Sequence, residues 1–418
     1  MAKGRAAKLG CLVAITGALS LLPGAIEEAS ASSTTITFEV AEYSTKTVPF
    51  WQGVVKNFEA ANPTVHVDLT SMGWSQAQNS TVRQIAANDL PDIVNTATIW
   101  LPQWVNSGAL QPISPSMLSG PTRANILPAL YNVASLYDGK IWGLPIAAGT
   151  RALFYNKSLF QKAGLNPNDP PTDWAEMYSD AQAIKQKTGA YGYAYEVSDQ
   201  QAFRYFGYLL INDGGYLLAP NGKAAFDSPA GVNALSFLVK ADKASLTPDP
   251  IANNLVDLET LFKAGKIGMM IDDAYFFAEI PAGSLDYSVA QIPVGAPGVT
   301  PVNWGVTDVL VVSKSANAAA LKPFLDYIYQ PQIQARFDEN EGFTPLEKNE
   351  ATLPAFNNSF DRLFVKMTEV SRFDPFSPDF SQLQVLLKTA EQEALLGKAT
   401  PSQALATAAS QFDALPGS

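Results

Sequence analysis

The stretch that most constrains this chain is residues 138–176, DGKIWGLPIAAGTRALFYNKSLFQKAGLNPNDPPTDWAE. Asp138-Gly139 is a turn signal. An apolar strand follows over residues 142–147, and a second, residues 152–155, comes just after it. The pattern then becomes helical from Lys157 to Ala163 and stops at Gly164, a residue type that tolerates the left-handed turn closing a helix. Prolines punctuate the chain up to Thr172. Asp173 and Glu176 have the spacing of a capping box, so another helix opens there with Trp174 in its first turn.

The flanking sequence repeats this alternation. Ile36, Phe38 and Val40 share one face of a strand over residues 34–43. Val48, Trp51, Val55 and Phe58 follow at helical spacing, closed by Asn62-Pro63. Val65, Val67 and Leu69 alternate again, residues 75–88 form a polar helix, and Pro91-Asp-Ile-Val opens the next strand. A helix begins at Trp100 and ends at Gly108. Further on, residues 191–195 read as a strand and residues 202–210 as an aromatic helix. Residues 321–329 form a further helix. Strand and helix in alternation predict an α/β sheet with helices on its faces.

Residues 1–31 read as a secretory signal peptide. Lys3, Arg5 and Lys8 precede an apolar run over residues 9–22, and Ala29-Ser-Ala31 is a small-residue cleavage pattern. The single cysteine, Cys11, lies inside this segment with Lys8 where a lipoprotein signal wants an aliphatic residue. The mature chain is therefore expected to be exported, to the periplasm or the cell surface. It is also expected to be free of disulfides. The formal net charge of −11 argues against nucleic acid or anionic membrane as partner.

Three pieces in order, GKIWGLP, ALFYNKSLFQKAGL and PPTDWAEM, resemble the core of the maltose-binding-protein-like solute-binding proteins of ABC importers. The phrases FDSPAGVNALSFL, FKAGKIGMMI and EGFTP resemble later parts of that family. The resemblance implies a two-lobed periplasmic-binding-protein fold of type II, with the ligand cleft between lobes joined by hinge crossings. It implies a first lobe of residues 32–145 plus 297–340 and a second of residues 146–296 plus 341–418. Residues 289–294 are expected to make the second passage between lobes. It further implies a monomer with a carbohydrate ligand, a mono- or short oligosaccharide, passed to transmembrane permease subunits. No cofactor and no metal are implied.

Candidate ligand residues follow from position and chemistry. Aromatic rings stack on the apolar faces of sugars, while Asp, Asn, Gln, Glu and Arg hydrogen-bond the hydroxyl edges. Tyr43, Trp74, Asn95 and Trp100 follow strand ends, where open α/β sheets hold ligands. Thr150 and Arg151 occupy a place where members of the family often put a polar contact. Gln200 and Gln201, with Arg204, begin the aromatic helix near the family's second-lobe loop. Asp272 and Tyr275 follow the AGK step, where relatives often carry a tryptophan; a tyrosine here weighs against long oligosaccharides. Trp304 and Asp308 lie past the return crossing, and Glu341 opens the late turn. Trp100, Tyr275 and Trp304 are expected to supply stacking surfaces, whereas Trp104, Trp142 and Tyr155 are read as core.

Catalysis finds little support. A serine or cysteine triad would have to use His66, the one histidine, which sits in an alternating strand. No HExxH or phosphate loop appears. Asp272 and Asp273 are adjacent on a strand and point to opposite faces, so they are poorly placed to flank one glycosidic bond. A secreted glycoside hydrolase or lyase is the enzyme alternative. A polyamine, a peptide or a metal chelate on the same scaffold is the binding alternative.

Overall fold

The computed structural model of the chain describes residues 34–416, apart from residue 135 and residues 200–202. The signal-peptide reading and the Gln200 and Gln201 assignments lie outside the described residues. The strands, in chain order, are β1 Thr34–Glu42, β2 Val65–Gly73, β3 Ile93–Ala97, β4 Leu110–Gln111, β5 Leu136–Tyr137, β6 Lys140–Ile141, β7 Gly143–Asn156, β8 Tyr191–Ala194, β9 Ile267–Asp273, β10 Tyr287–Ala290, β11 Asn303–Ser313 and β12 Ser371–Arg372. The main sheet runs β2-β1-β3-β11-β7-β9-β8, with β4, β10 and β12 attached at its margins. β1 pairs in parallel with β2 and β3, and β11 lies antiparallel between β3 and β7.

The two short strands expected from the sequence are one strand, β7. Its first part, from Gly143 to Thr150, pairs with β11, and its second, from Arg151, pairs with β9. Different cores form on either side of that hand-over. Leu144 and Ile146 pack with Ile36, Phe38, Trp51, Leu310 and Phe324. Leu153 and Tyr155 face Trp174, Phe203, Phe206 and Phe380, while Ala152 and Phe154 face Phe262, Phe276 and Phe364. A strand buried on both faces needs no polar alternation, which is why ALFY reads as a continuous apolar run. The helix Lys157–Ala163 begins where Asn156 caps the Leu159 N–H and ends at Gly164 with φ 81°. Asp173 caps the helix Trp174–Thr188 by accepting from the Glu176 N–H. The return bond of the box comes one residue early, from the Thr172 N–H to Glu176.

Two passages differ from the sequence reading. Residues 289–294 stay in the second body: Val289 pairs with Phe154, and Val294 exchanges backbone bonds with Thr172 and Trp174. β11 contributes to both cores: its Trp304 packs in the core of Phe203, and its Leu310 in the core of Phe38. The segment after Glu341, read as second lobe, packs on the first. The Thr344 N–H donates to the Ala148 carbonyl of β7, the Leu127 N–H donates to Leu346, and Leu346 is buried beside Phe38.

Behind that segment sit three fully buried carboxyl groups, Asp338, Glu347 and Glu350. Asn125 Nδ2 donates to Glu347 at 2.8 Å, and Glu350 accepts the Leu346 and Glu347 N–H groups. Burial, reinforced by Glu350, pushes Glu347 up to about 8; burial raises Glu350 to about 7 and Asp338 well above the carboxylate range. The folded chain therefore holds protons that the unfolded chain releases near pH 4. Their stabilising effect is complete at low pH and is lost as pH rises to about 8. The expected outcome is an unliganded melting temperature several degrees lower at pH 8 than at pH 5, with a flatter profile for Glu350→Gln. Scanning calorimetry of both proteins checks this, and identical slopes would refute it.

Candidate functional site

Where β7 passes from one body to the other, the ends of β1, β3, β9 and β11 converge with the late segment from Glu341. The first-lobe side is built on aromatic rings. Tyr43, just past β1, stacks on Trp74 with centroids 5.2 Å apart, and Trp74 lies 5.6 Å from Trp100. Trp100 in turn meets Trp104 at 5.8 Å. Trp104 is buried and anchors the row, while Tyr43, Trp74 and Trp100 remain partly exposed. Trp74 opens the helix Trp74–Ala87, which is why its ring sits at a lobe edge and not under it.

Polar groups frame this row. The Tyr43 hydroxyl donates to Asp308 Oδ2 at 2.9 Å, and the Thr47 hydroxyl donates to Glu341 Oε1 at 2.8 Å. Asn95 is buried and accepts the Ala41 N–H. Asp308 Oδ1 and Glu341 Oε2 are both shielded and have no hydrogen-bond partner among the described residues. Burial pushes Asp308 up to about 7, against the opposing pull of Tyr43's hydrogen bond and the Arg204 charge. Burial and the neighbouring Asp308 keep the Tyr43 phenol protonated.

The second-lobe side is a network of charges. Arg151, the first residue of β7's second part, ion-pairs with Asp273, and its Nε donates to the Tyr208 hydroxyl at 2.9 Å. Gly149 makes room for this pair: a Cβ there would stand 2.6 Å from the Asp273 carboxylate oxygens. Arg204 pairs with Asp374 at 3.3 Å. Asp272 is buried, its Oδ1 accepting the Asp273 N–H and its Oδ2 unpartnered among the described residues. Burial, then Glu259, raises its pKa well above the usual range.

The structure thus brings Tyr43, Trp74, Asn95, Trp100, Asp308 and Glu341 together on one side, and Arg151 and Asp272 on the other. Thr150 is fully buried and shares a hydrogen bond with Ser371. Tyr275 donates its hydroxyl to Glu259 at 2.6 Å and rests its ring on the Phe154 core. Trp304 is 2 % exposed, enclosed edge-to-face by Phe203 and Tyr208. Gly207 leaves room for its ring, since a Cβ there would approach it to 2.6 Å. Its position just past a crossing suggested a ligand surface; the tight fit makes it a wedge in the second core. Tyr208, Asp273 and Asp374 were missed. The signal for Asp374 was the phrase FDPF, an acid between aromatics. Trp104, Trp142 and Tyr155 are buried, as read.

Among the described residues no three His, Cys, Asp or Glu side chains are arranged to hold a metal ion. No described helix is long and apolar enough to cross a membrane. The arrangement offers ring faces beside hydrogen-bonding carboxylates and guanidiniums, which is a binding chemistry for polyhydroxylated molecules.

Comparison with known proteins bears on the fold and the family. Residues 41–335 match the family model described as bacterial extracellular solute-binding protein. A Brucella abortus (strain 2308) protein named as a binding protein is 32 % identical over 392 residues, 92 % of this chain and 94 % of its own. The cyclic α-maltosyl-1,6-maltose binding protein of Arthrobacter globiformis superposes with a TM-score of 0.80 at 22 % identity, over 91 % of this chain and 98 % of that one. An ABC transporter solute-binding protein of Thermotoga lettingae, solved with α-D-tagatose, gives 0.77 at 26 % identity, over 91 % and 99 %.

The environments of the aromatic residues predict different mutant phenotypes. Trp304→Ala is expected to cost roughly 3–5 kcal/mol of stability, as for a core tryptophan. Tyr43→Phe removes one hydrogen bond and is expected to cost about 1 kcal/mol, and Trp74→Ala a similar amount. Denaturant melts of the three variants check this ranking, and a Trp304→Ala protein as stable as Trp74→Ala would reverse it.

Proposed function

The chain belongs to the bacterial extracellular solute-binding protein family, and from that premise we propose that it captures a mono- or short oligosaccharide by lobe closure and delivers it to the permease of an ABC importer. The observation that carries this reading is the partly exposed row Tyr43–Trp74–Trp100 set beside the buried Asp308 carboxylate and the shielded Glu341 Oε2. Ring faces and acceptor oxygens at one place match the two surfaces of a sugar. A buried acceptor left without a donor costs about 1–3 kcal/mol, so a ligand hydroxyl that supplies the donor gains correspondingly in affinity and selectivity.

In this reading the lobes divide within β7 at Thr150 and Arg151, within β11 just after Trp304, and after Glu350 in the third connection. The change of hydrogen-bond partners and of core at those points supports the division. Closure is a hinge motion about these crossings. The protein acts as an exported monomer and releases its ligand unchanged. The two neighbouring carboxylates of β9 serve different partners, Asp273 the Arg151 guanidinium and Asp272 its neighbour's N–H, which is a binding arrangement and not a paired acid and nucleophile.

Thermal-shift measurement across a panel of mono- and disaccharides tests the proposal. A true ligand at a hundredfold excess over its Kd is expected to add about 2.7 kcal/mol of apparent stability. Chromatography after incubation is expected to return the sugar intact. Absence of any shift across the panel would sink the carbohydrate reading, and cleavage that disappears in Asp272→Asn would replace it with a hydrolase.

A further inference from the structure

Resting on the carbohydrate reading above, we propose that the ligand carries a protonated amine, an amino sugar in preference to a neutral or anionic one, and that Asp308 and Glu341 select it. Buried carboxylates in folded proteins ordinarily find a cation or several donors. The cleft follows that rule unevenly. Its two guanidiniums are committed to second-lobe acids, Arg151 to Asp273 and Arg204 to Asp374. Asp308 and Glu341 form no ion pair with any described residue and are held only by hydroxyls, those of Tyr43 and Thr47.

Asp308 is 7 % exposed. Its Oδ1 and Glu341 Oε2 are the shielded oxygens that these hydroxyls do not reach. Asp308 accepts the Tyr43 hydroxyl, and Glu341 accepts the hydroxyl of Thr47, whose oxygen in turn accepts the Tyr43 N–H, so both carboxylates are tied to one turn of the first-lobe wall. Lys46, on the same turn, donates from Nζ to the Asn340 carbonyl at 3.1 Å and ion-pairs with neither carboxylate, and Arg204 acts on Asp308 only through space.

An ammonium group entering there meets two acceptors already positioned, and the row Tyr43–Trp74–Trp100 adds ring faces that favour a cation. A phosphate or carboxylate entering the same place faces Asp308 and Glu341, with both arginines already paired. A neutral hydroxyl satisfies an acceptor but leaves the charge unbalanced. Because burial holds the Asp308 acid up to about 7, an arriving cation drives its proton off. Binding of an amine therefore releases protons near neutral pH, and binding of a neutral sugar does not.

Calorimetry on the purified full chain at pH 7 tests this with matched pairs: glucose and glucosamine, galactose and galactosamine, mannose and mannosamine. Glucose 6-phosphate, glucuronate and putrescine complete the probes. In at least one pair the amino sugar is expected to bind about tenfold tighter or better, a difference of about 1.4 kcal/mol. Its heat should depend on buffer ionisation in the sense of proton release, and the two anionic sugars should not bind. Asp308→Asn should remove the preference and the proton release while keeping the unliganded melting temperature; Glu341→Gln provides a second variant should the first unfold. A neutral sugar that ties or wins in every binding pair, or binding of an anionic sugar, overturns amine selection and leaves the carbohydrate reading standing. Putrescine binding without any sugar does the reverse. Silence from every probe counts against both.

Discussion

The architecture depends on the backbone pairing of one long strand, β7, whose register with β11 shifts once, between Asp308 and Val309. β7 serves as the inner strand of two half-sheets in succession, bonded first to β11 and then to β9. Because backbone groups buried at this depth must be paired, the hand-over at Thr150 and Arg151 allows no gap in pairing. The side chains at the junction are accordingly specialised. Thr150 satisfies Ser371, Arg151 takes Asp273, and Gly149 contributes the absence of a Cβ that lets the carboxylate lie across the strand. Arg151, Asp272, Asp273 and Asp308 are placed by that pairing.

Burial without full compensation recurs on the first-lobe side. Asp308 at the front and the Asp338–Glu347–Glu350 group behind are connected through one short segment. Glu341 and Phe343 touch Thr47 and Tyr43, and Glu347 and Glu350 follow directly. Charges removed from water are costly unless paired, and here the desolvated acids lie beside the residues that face the cleft. Stability is spent around the cleft and recovered in the aromatic cores, where Phe38, Trp51 and Phe324 on one side, and Phe203, Trp304 and Phe380 on the other, interlock edge-to-face.

Much of the fold was legible because periodicity reports local burial. The strand over residues 34–43, the helix closed by Asn62 and the capped helix at Asp173 all stand where their patterns put them. What periodicity does not report is partnership. The apolar segments around Gly149 read as two strands because the polar Thr150 and Arg151 interrupt the run, yet both are satisfied in place. Residues 289–294 read as a crossing because they are apolar and extended; their bonds to Thr172 and Trp174 are long-range and leave no local trace. The same limit governs the site. Tyr43, Trp74 and Trp100 were visible as aromatics at strand ends. Trp304 has the same signature, and only the cavity opened by Gly207 distinguishes a wedge from a platform.

β11 carries a further consequence for how the molecule comes into being. It lies between β3 and β7, joining strands that precede it by far in the chain. A polypeptide made amino-terminus first presents β1, β2, β3 and β7 long before residues 303–313 arrive. Until then β3 and the first part of β7 each expose an unpaired apolar edge, the kind of surface that invites misassociation. The order of emergence thus leaves the earliest lobe to be completed late, and its assembly is limited by delivery of one distant strand.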